Sequence, residues 1–252
     1  MARTTVKESH RQWPPPAKPW VLTMRWHDLL FIHWPVRPEM VRPLISAEVD
    51  LDTFDGWAWI GVVPFHMSGV RLRFVPPIWP VSRFAELNVR TYVKTEGRKG
   101  VWFFSLDAAS KVAVRAARLL GLPYFDAQMR VEPGERRIAY HSARVHHDLP
   151  PAEFEATYGP TGPIYYSAPD SLDRWLTARY CLYAAHGKRI VFGEIDHAPW
   201  PLQSAEVDLR VNTMTAPLGI TLSDSKPIAH FARRLDVFAW PVVQLKNTRW
   251  QI

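Results

Sequence analysis

The chain has 252 residues, of which 47% are hydrophobic and 22% charged. That balance supports a sizeable buried core and excludes a chain that is disordered throughout. The net charge of +7 is dispersed over doublets such as Arg136-Arg137, Lys188-Arg189 and Arg233-Arg234. With no long basic run, a solvated basic surface is favoured over a nucleic-acid patch.

Twelve tryptophans and 23 prolines predict many short strands and bends rather than a helical bundle. The single cysteine, Cys181, excludes a disulfide within the chain and fits a reducing, cytoplasmic location. It lies in an apolar run, which reads as a buried, inert thiol. No apolar stretch is long enough to predict a membrane span. The segment MARTTVKESHRQWPPP does not read as a secretory signal. Residues 1–19 are expected to form a mobile tail and residues 20–252 a single domain.

In chain order, Trp20 to Trp34 reads as a strand with bends, closed by Pro35. Pro38 opens a short helix over Glu39 to Ile45. Asp50 to Gly56 is a turn-rich connection. Ala58 to Met67 reads as a strand, with Arg71 to Phe74 pairing back on it. Glu86 to Lys94 alternates: Leu87, Val89, Thr91 and Val93 face one way, and Glu86, Asn88, Arg90 and Tyr92 the other. A hairpin loop around Gly97 leads to a central strand, Val101 to Leu106. Ser110 caps a helix from Lys111 to Leu120, which Gly121 and Pro123 end. Its predicted buried stripe is Val112, Ala113, Ala116, Leu119 and Leu120.

Asp126 to Glu132 and Arg137 to His146 read as a hairpin. Pro150 to Pro169 reads as an irregular loop or lid. Ser171 to Thr177 forms a turn or two of helix. Strands follow at Arg179 to Tyr183, Arg189 to Asp196, Gln203 to Val211 and Ile228 to Val237. Many strands and few helices, without strand–helix alternation, predict an α+β fold built on a mostly antiparallel barrel or sandwich.

The chain carries no phosphate loop, dinucleotide fingerprint, nucleophile elbow, HExxH or CxxC. His141, His146 and His147 with Asp148, His27 and His33 around Asp28, and Asp196-His197 lack a metal-ligand spacing; surface or structural roles are favoured. The face formed by Glu86, Asn88 and Arg90 is more informative. On an exposed strand it would be the solvent side; in a closed barrel it would line a cavity. A carboxylate beside an arginine there suits an acid/base with an anion anchor.

The runs FAELNVRTYV, GVWFFSLDAAS and AARLLGLPYF, with MRWHDLLFIHWPV, DTFDGWAWIGVVPF, LTARYCLY and HAPWPLQ, resemble the YqjF-like proteins, the DUF2071 family of unknown function. That family is similar to the acetoacetate decarboxylase-like superfamily. The resemblance spans Trp20 to Pro241 and implies a cone-shaped β-barrel with an internal pocket. It places the decarboxylases' pocket glutamate at Glu86. Their Gly-Arg-Glu segment is similar to Ala117-Arg118-Leu119, and their Schiff-base lysine falls at or beside Tyr124 or Phe125. No lysine stands there; the nearest preceding one is Lys111. An iminium mechanism needs a pocket amine, which tyrosine cannot supply.

The resemblance therefore implies a small-molecule pocket protein with no cofactor or metal. As an enzyme it would act on a carbonyl- or carboxylate-bearing metabolite by acid/base chemistry. Glu86 and Tyr124 would be catalytic, and Asn88, Arg90 and Arg118 would bind substrate. The alternatives are a non-catalytic ligand-binding or sensor barrel and, more weakly, nucleic-acid binding. Lys111 reaching the pocket is a further possibility. Barrel edges that pair would give a homo-oligomer.

Overall fold

The computed structural model describes residues 10–79, 81–147, 149–223 and 226–245. The elements in order are β1 (Leu22–Val36), α1 (Pro38–Val41), β2 (Asp50–Leu51), β3 (Ala58–Leu72), β4 (Phe84–Thr95), β5 (Arg98–Ala108) and α2 (Lys111–Leu119). Then come β6 (Tyr124–Pro133), β7 (Ile138–Arg144), β8 (Glu153–Pro160), α3 (Leu172–Thr177), β9 (Cys181–His186), β10 (Arg189–His197), β11 (Gln203–Asn212), β12 (Ile228–Ala239) and β13 (Val243–Gln244). The fold is mostly strand, as the alternation and the turn residues predict.

All the strands belong to one sheet, in the order β13-β10-β9-β5-β6-β7-β8-β11-β12-β1-β3-β4-β2, with further pairings β10–β12 and β5–β4. Neighbours run antiparallel except β5–β6 and β5–β9, which are parallel. These pairings return on themselves in two circuits that share the wall β12-β1-β3-β4-β5. One core packs this wall against β7 and β8, through Leu30, Ile60, Leu87, Tyr140, Phe154 and Tyr158. A second lies on the opposite face, where Phe31, Val63, Phe65, Trp200, Leu202 and Val237 meet.

Two irregularities set which side chains share that second face. Asp28 has φ 50°, and the β1–β3 register shifts between His27 and Ile32. One inserted residue reverses the alternation, so Trp26 and Phe31, five apart, both join the same cluster. The β4–β5 register likewise shifts after Val89, so that Asn88 opposes Leu106 while Arg90 opposes Phe103. At the tip of that hairpin Glu96 and Gly97 have φ 46° and 80°. Two successive positive φ values suit a tight turn between twisted strands, and glycine takes the second without strain.

Several expectations are corrected. Arg71 to Phe74 does not pair back: β3 runs on to Leu72, pairing with β1 from Leu22 onward. The stretch expected as an irregular loop holds β8, whose alternate residues Phe154, Ala156 and Tyr158 are buried. Glutamates and a threonine between them hid that period. The predicted buried stripe of α2 is mostly outside: Val112 and Leu119 are 61% and 88% exposed, and Val114 is the buried residue. Its N-cap is as expected, with Ser110 Oγ accepting from the Ala113 amide.

The expected mobile tail is corrected at residues 11–13. Residues 1–9 lie outside the described residues. Arg11 is buried, bonding to Glu194, Asp196 and the Ile195 carbonyl, and Trp13 Nε1 donates to Glu194. Residues 11–13 thus strap onto β10. Cys181 is buried, and burial pushes its thiol pKa up, as expected of an inert thiol.

Candidate functional site

Glu86, Asn88 and Arg90 lie on β4 and are 3%, 5% and 9% exposed. They oppose Phe65, Val63 and Gly61 on β3. Across the wall's other neighbour, Glu86 and Asn88 oppose Ala108 and Leu106. The polar face of this strand is therefore enclosed rather than solvated. Gly61 lets the chains approach closely there: a Cβ would stand 3.0 Å from the His33 ring and 3.3 Å from Arg90 Cγ.

Tyr124 begins β6, whose parallel register sets it beside Leu106. Its hydroxyl donates to Glu86 Oε2 at 2.8 Å. Burial pushes the Glu86 carboxyl up to about 8; the Tyr124 bond opposes this and the Asp107 charge adds to it. Glu86 therefore keeps its proton at neutral pH. Burial and the neighbouring Glu86 push the Tyr124 hydroxyl well up too, so it remains a donor.

Arg90 sits with its guanidinium over Phe31 and Tyr92, at 5.4 and 5.8 Å from the ring centroids. Nη2 donates to the Leu176 carbonyl at 3.4 Å, while Nε has no partner. Among the described residues no carboxylate pairs with it. A buried cation without a counter-ion is costly unless a ligand or water completes it. Asn88 Oδ1 is likewise without a partner.

The residues after Ser171 close one end. Tyr92 Oη donates to the Leu176 carbonyl at 2.9 Å and meets His33 Nε2 at 2.7 Å. Trp200 Nε1 donates to the Thr177 carbonyl. Outside this plug lies an open hollow of about 500 Å³, bounded in part by Trp13, Asp52, Lys94, Trp175, Arg179 and Tyr180. Arg179 pairs with Asp52 at 2.7 Å and stacks on Tyr92 and Trp175, so one wall of the hollow is the plug itself. A second hollow, of about 510 Å³, covers Arg130, His141, Glu155 and Arg210 and includes neither Glu86 nor Arg90.

The expected Glu86–Tyr124 pair and the Asn88 and Arg90 positions are thus brought to one face. Arg118 is not. It lies on the exposed side of α2, and Nη1 donates to the Tyr124 carbonyl, so it supports the backbone of Tyr124 and has no place in the interior. Lys111 is exposed at the start of α2, and among the described residues no lysine is buried. The chemistry of an interior amine has no group to carry it among them.

Missed in the sequence were His33, Trp26, His197 and Trp200, which also meet on this face. The last two lie in HAPWPLQ, one of the segments that carry the family resemblance, and local spacing held no sign that they meet Trp26. Among the described residues no three His, Cys, Asp or Glu side chains gather as a metal site would need. His141 pairs with Glu153 and His146 with Asp126; Asp148 lies outside the described residues.

The sequence matches the profile of DUF2071, described as an uncharacterized conserved protein, over residues 23–236. It is 42% identical over 224 residues to the uncharacterized protein YqjF of Bacillus subtilis (strain 168), covering 88% of this chain and 92% of that one. The chain belongs to the DUF2071 family. Solved structures extend the likeness of this DUF2071 chain to a fold. An acetoacetate decarboxylase-like enzyme from Sphingomonas wittichii RW1 aligns with a TM-score of 0.60 at 12% identity, covering 92% of this chain and 95% of that one. The enduracididine biosynthesis enzyme MppR, complexed with pyruvate, aligns at 0.63 and 13% identity, over 95% and 94%. Acetoacetate decarboxylase from Legionella pneumophila aligns at 0.57 and 11% identity, over 94% of each chain. The acetoacetate decarboxylase-like fold is shared by all three. Among the described residues no helix is long and apolar enough to cross a membrane.

Proposed function

We propose that this DUF2071 protein is a small-molecule enzyme whose paired strands form a barrel around an interior pocket, and that it works by acid/base chemistry without a Schiff base. The observation that carries the reading is the Tyr124–Glu86 bond of 2.8 Å. It presents a carboxyl group that holds its proton at neutral pH on the same face as Arg90, which pairs with no carboxylate among the described residues. Arg90 anchors a carboxylate, Glu86 gives its proton to a carbonyl oxygen, and Tyr124 fixes the orientation of Glu86. MppR, which shares the fold, has been solved in complex with pyruvate, and an α-keto acid has both groups this arrangement would recognise.

The test is a screen of keto and carboxylic acids at pH 7, following substrate loss. Glu86→Gln removes the transferable proton with little change of shape, so it should abolish turnover while leaving the thermal midpoint within a few degrees. Undiminished turnover in that variant would end the proposal. A second reading, a ligand-binding or sensor barrel, is favoured by the lack of a buried lysine among the described residues; ligand binding without turnover by any acid would establish it.

A further inference from the structure

Among the buried nitrogens without a partner in the described residues, two share one aromatic cluster: Trp26 Nε1 and His197 Nε2. Their roles follow from chemistry. His197 Nδ1 lies 2.7 Å from the Ala198 carbonyl oxygen. A carbonyl only accepts, so Nδ1 carries the hydrogen. Burial lowers the ring's pKa to about 4, which keeps it neutral. Nε2 is then a bare lone pair, and His197 is 3% exposed. The indole nitrogen of Trp26 can only donate.

The two rings stand 6.4 Å apart, and both pack on Trp200, Trp26 stacking at 5.9 Å and His197 at 4.9 Å. Trp200 meets Phe31 edge-on at 4.9 Å, and Phe31 carries the Arg90 guanidinium. Phe65, beside Glu86 in the register, packs on Trp26 at 5.6 Å. One aromatic wall thus joins the anion anchor, the acid and the two orphaned nitrogens.

We infer that Trp26 and His197 form a second polar subsite that takes a hydroxyl group, making the ligand a hydroxy-carboxylate. This rests on the reading that Arg90 binds a carboxylate. The group must accept from Trp26 and donate to His197. A carboxylate cannot donate, an ammonium cannot accept, and a hydroxyl does both through one oxygen. The ring centroids lie 6.4 Å apart and both rings pack on Trp200, so the two nitrogens belong to one cluster. A hydroxyl-free ligand would leave both nitrogens desolvated, so discrimination comes from the site as well as from the bond.

Calorimetric titration with matched carboxylates tests this: butanoate against 4-hydroxybutanoate, and 3-phenylpropanoate against 3-(4-hydroxyphenyl)propanoate. In at least one pair the hydroxylated member should bind the native protein about tenfold tighter. In Trp26→Phe and His197→Phe that preference should collapse, with the hydroxylated member weakened and the hydroxyl-free member bound no less tightly than before. Arg90→Met should weaken both members alike. A native-protein readout guards against variants that fail to fold: the ¹⁵N signal of His197 Nε2 should be that of an unprotonated nitrogen and shift with the hydroxylated probe alone. Equal affinity within every pair, with binding still lost in Arg90→Met, would overturn the hydroxyl subsite and leave the anion site standing. No binding of any of the four acids would remove the anion site and this subsite together.

Discussion

The two faces of the shared wall make opposite use of polar groups. On the face toward β7 and β8, they are mostly satisfied. Tyr140 Oη lies 3.1 and 2.8 Å from the carbonyls of Phe65 and Glu86. Tyr158 donates to the carbonyl of Asp28, bracing the irregular turn of β1. Asp107 and Arg144 form a two-pronged ion pair, while Ser142 Oγ is without a partner among the described residues. On the opposite face, Trp26, His33, Asn88, Arg90 and His197 each leave a buried nitrogen or oxygen unmatched. Native cores rarely tolerate such a cluster unless water or a ligand completes it. The first face holds the wall together, and the second is the one on which the proposed pocket rests.

The heaviest loss should come from the satisfied face. Asp107→Ala would strand Arg144, which is 5% exposed at its side chain. Breaking a buried pair from one side costs about 3–5 kcal/mol, measured by urea denaturation. A loss below 1 kcal/mol would show that the pair is not what braces this face.

Two single-group deletions test the contrast between the faces more finely. Tyr158→Phe leaves the Asp28 carbonyl without its donor and should cost about 1–2 kcal/mol. Asn88→Leu removes an unmatched oxygen and should be near neutral or stabilising, while weakening any ligand bound beside Arg90. Equal losses from both would erase the distinction.

A pH series gives a smaller effect. Glu86 is pushed from the usual range up to about 8, so the unfolded chain releases that proton first. Its contribution is complete below pH 4.5 and is lost as pH rises through 8. His27 and His197 are lowered by burial to about 4, so they destabilise as pH falls from 6.5, and they are silent above it. Between pH 6.5 and 8 the native protein should therefore lose about 1–2 kcal/mol. Glu86→Gln should flatten that limb in chemical denaturation curves; an unchanged slope would show that Glu86 ionises normally.

The slightest changes belong to α2. Arg118→Ala removes an exposed donor to a carbonyl and should change stability by less than about 0.5 kcal/mol, with ligand affinity unaltered. Borohydride treatment with a β-keto acid should leave no adduct on Lys111. A covalent adduct there would place that lysine inside and reverse the reading of the site.

What was legible in the residues alone is local. Alternation put Glu86, Asn88 and Arg90 on one side of a strand, Ser110 capped α2, and the Gly97 turn joined β4 to β5, because each depends on neighbours a few residues apart. Which surface meets which was set by long-range packing. Only strand pairing shows that the polar side of β4 is enclosed, that Phe154, Ala156 and Tyr158 are a buried period, and that the apolar stripe of α2 faces outward. Only it brings Trp26 to His197 and Trp200. Those contacts join residues more than 170 positions apart, through a single inserted residue at Asp28 that reverses the face of β1, and no short-range pattern encodes such a reversal.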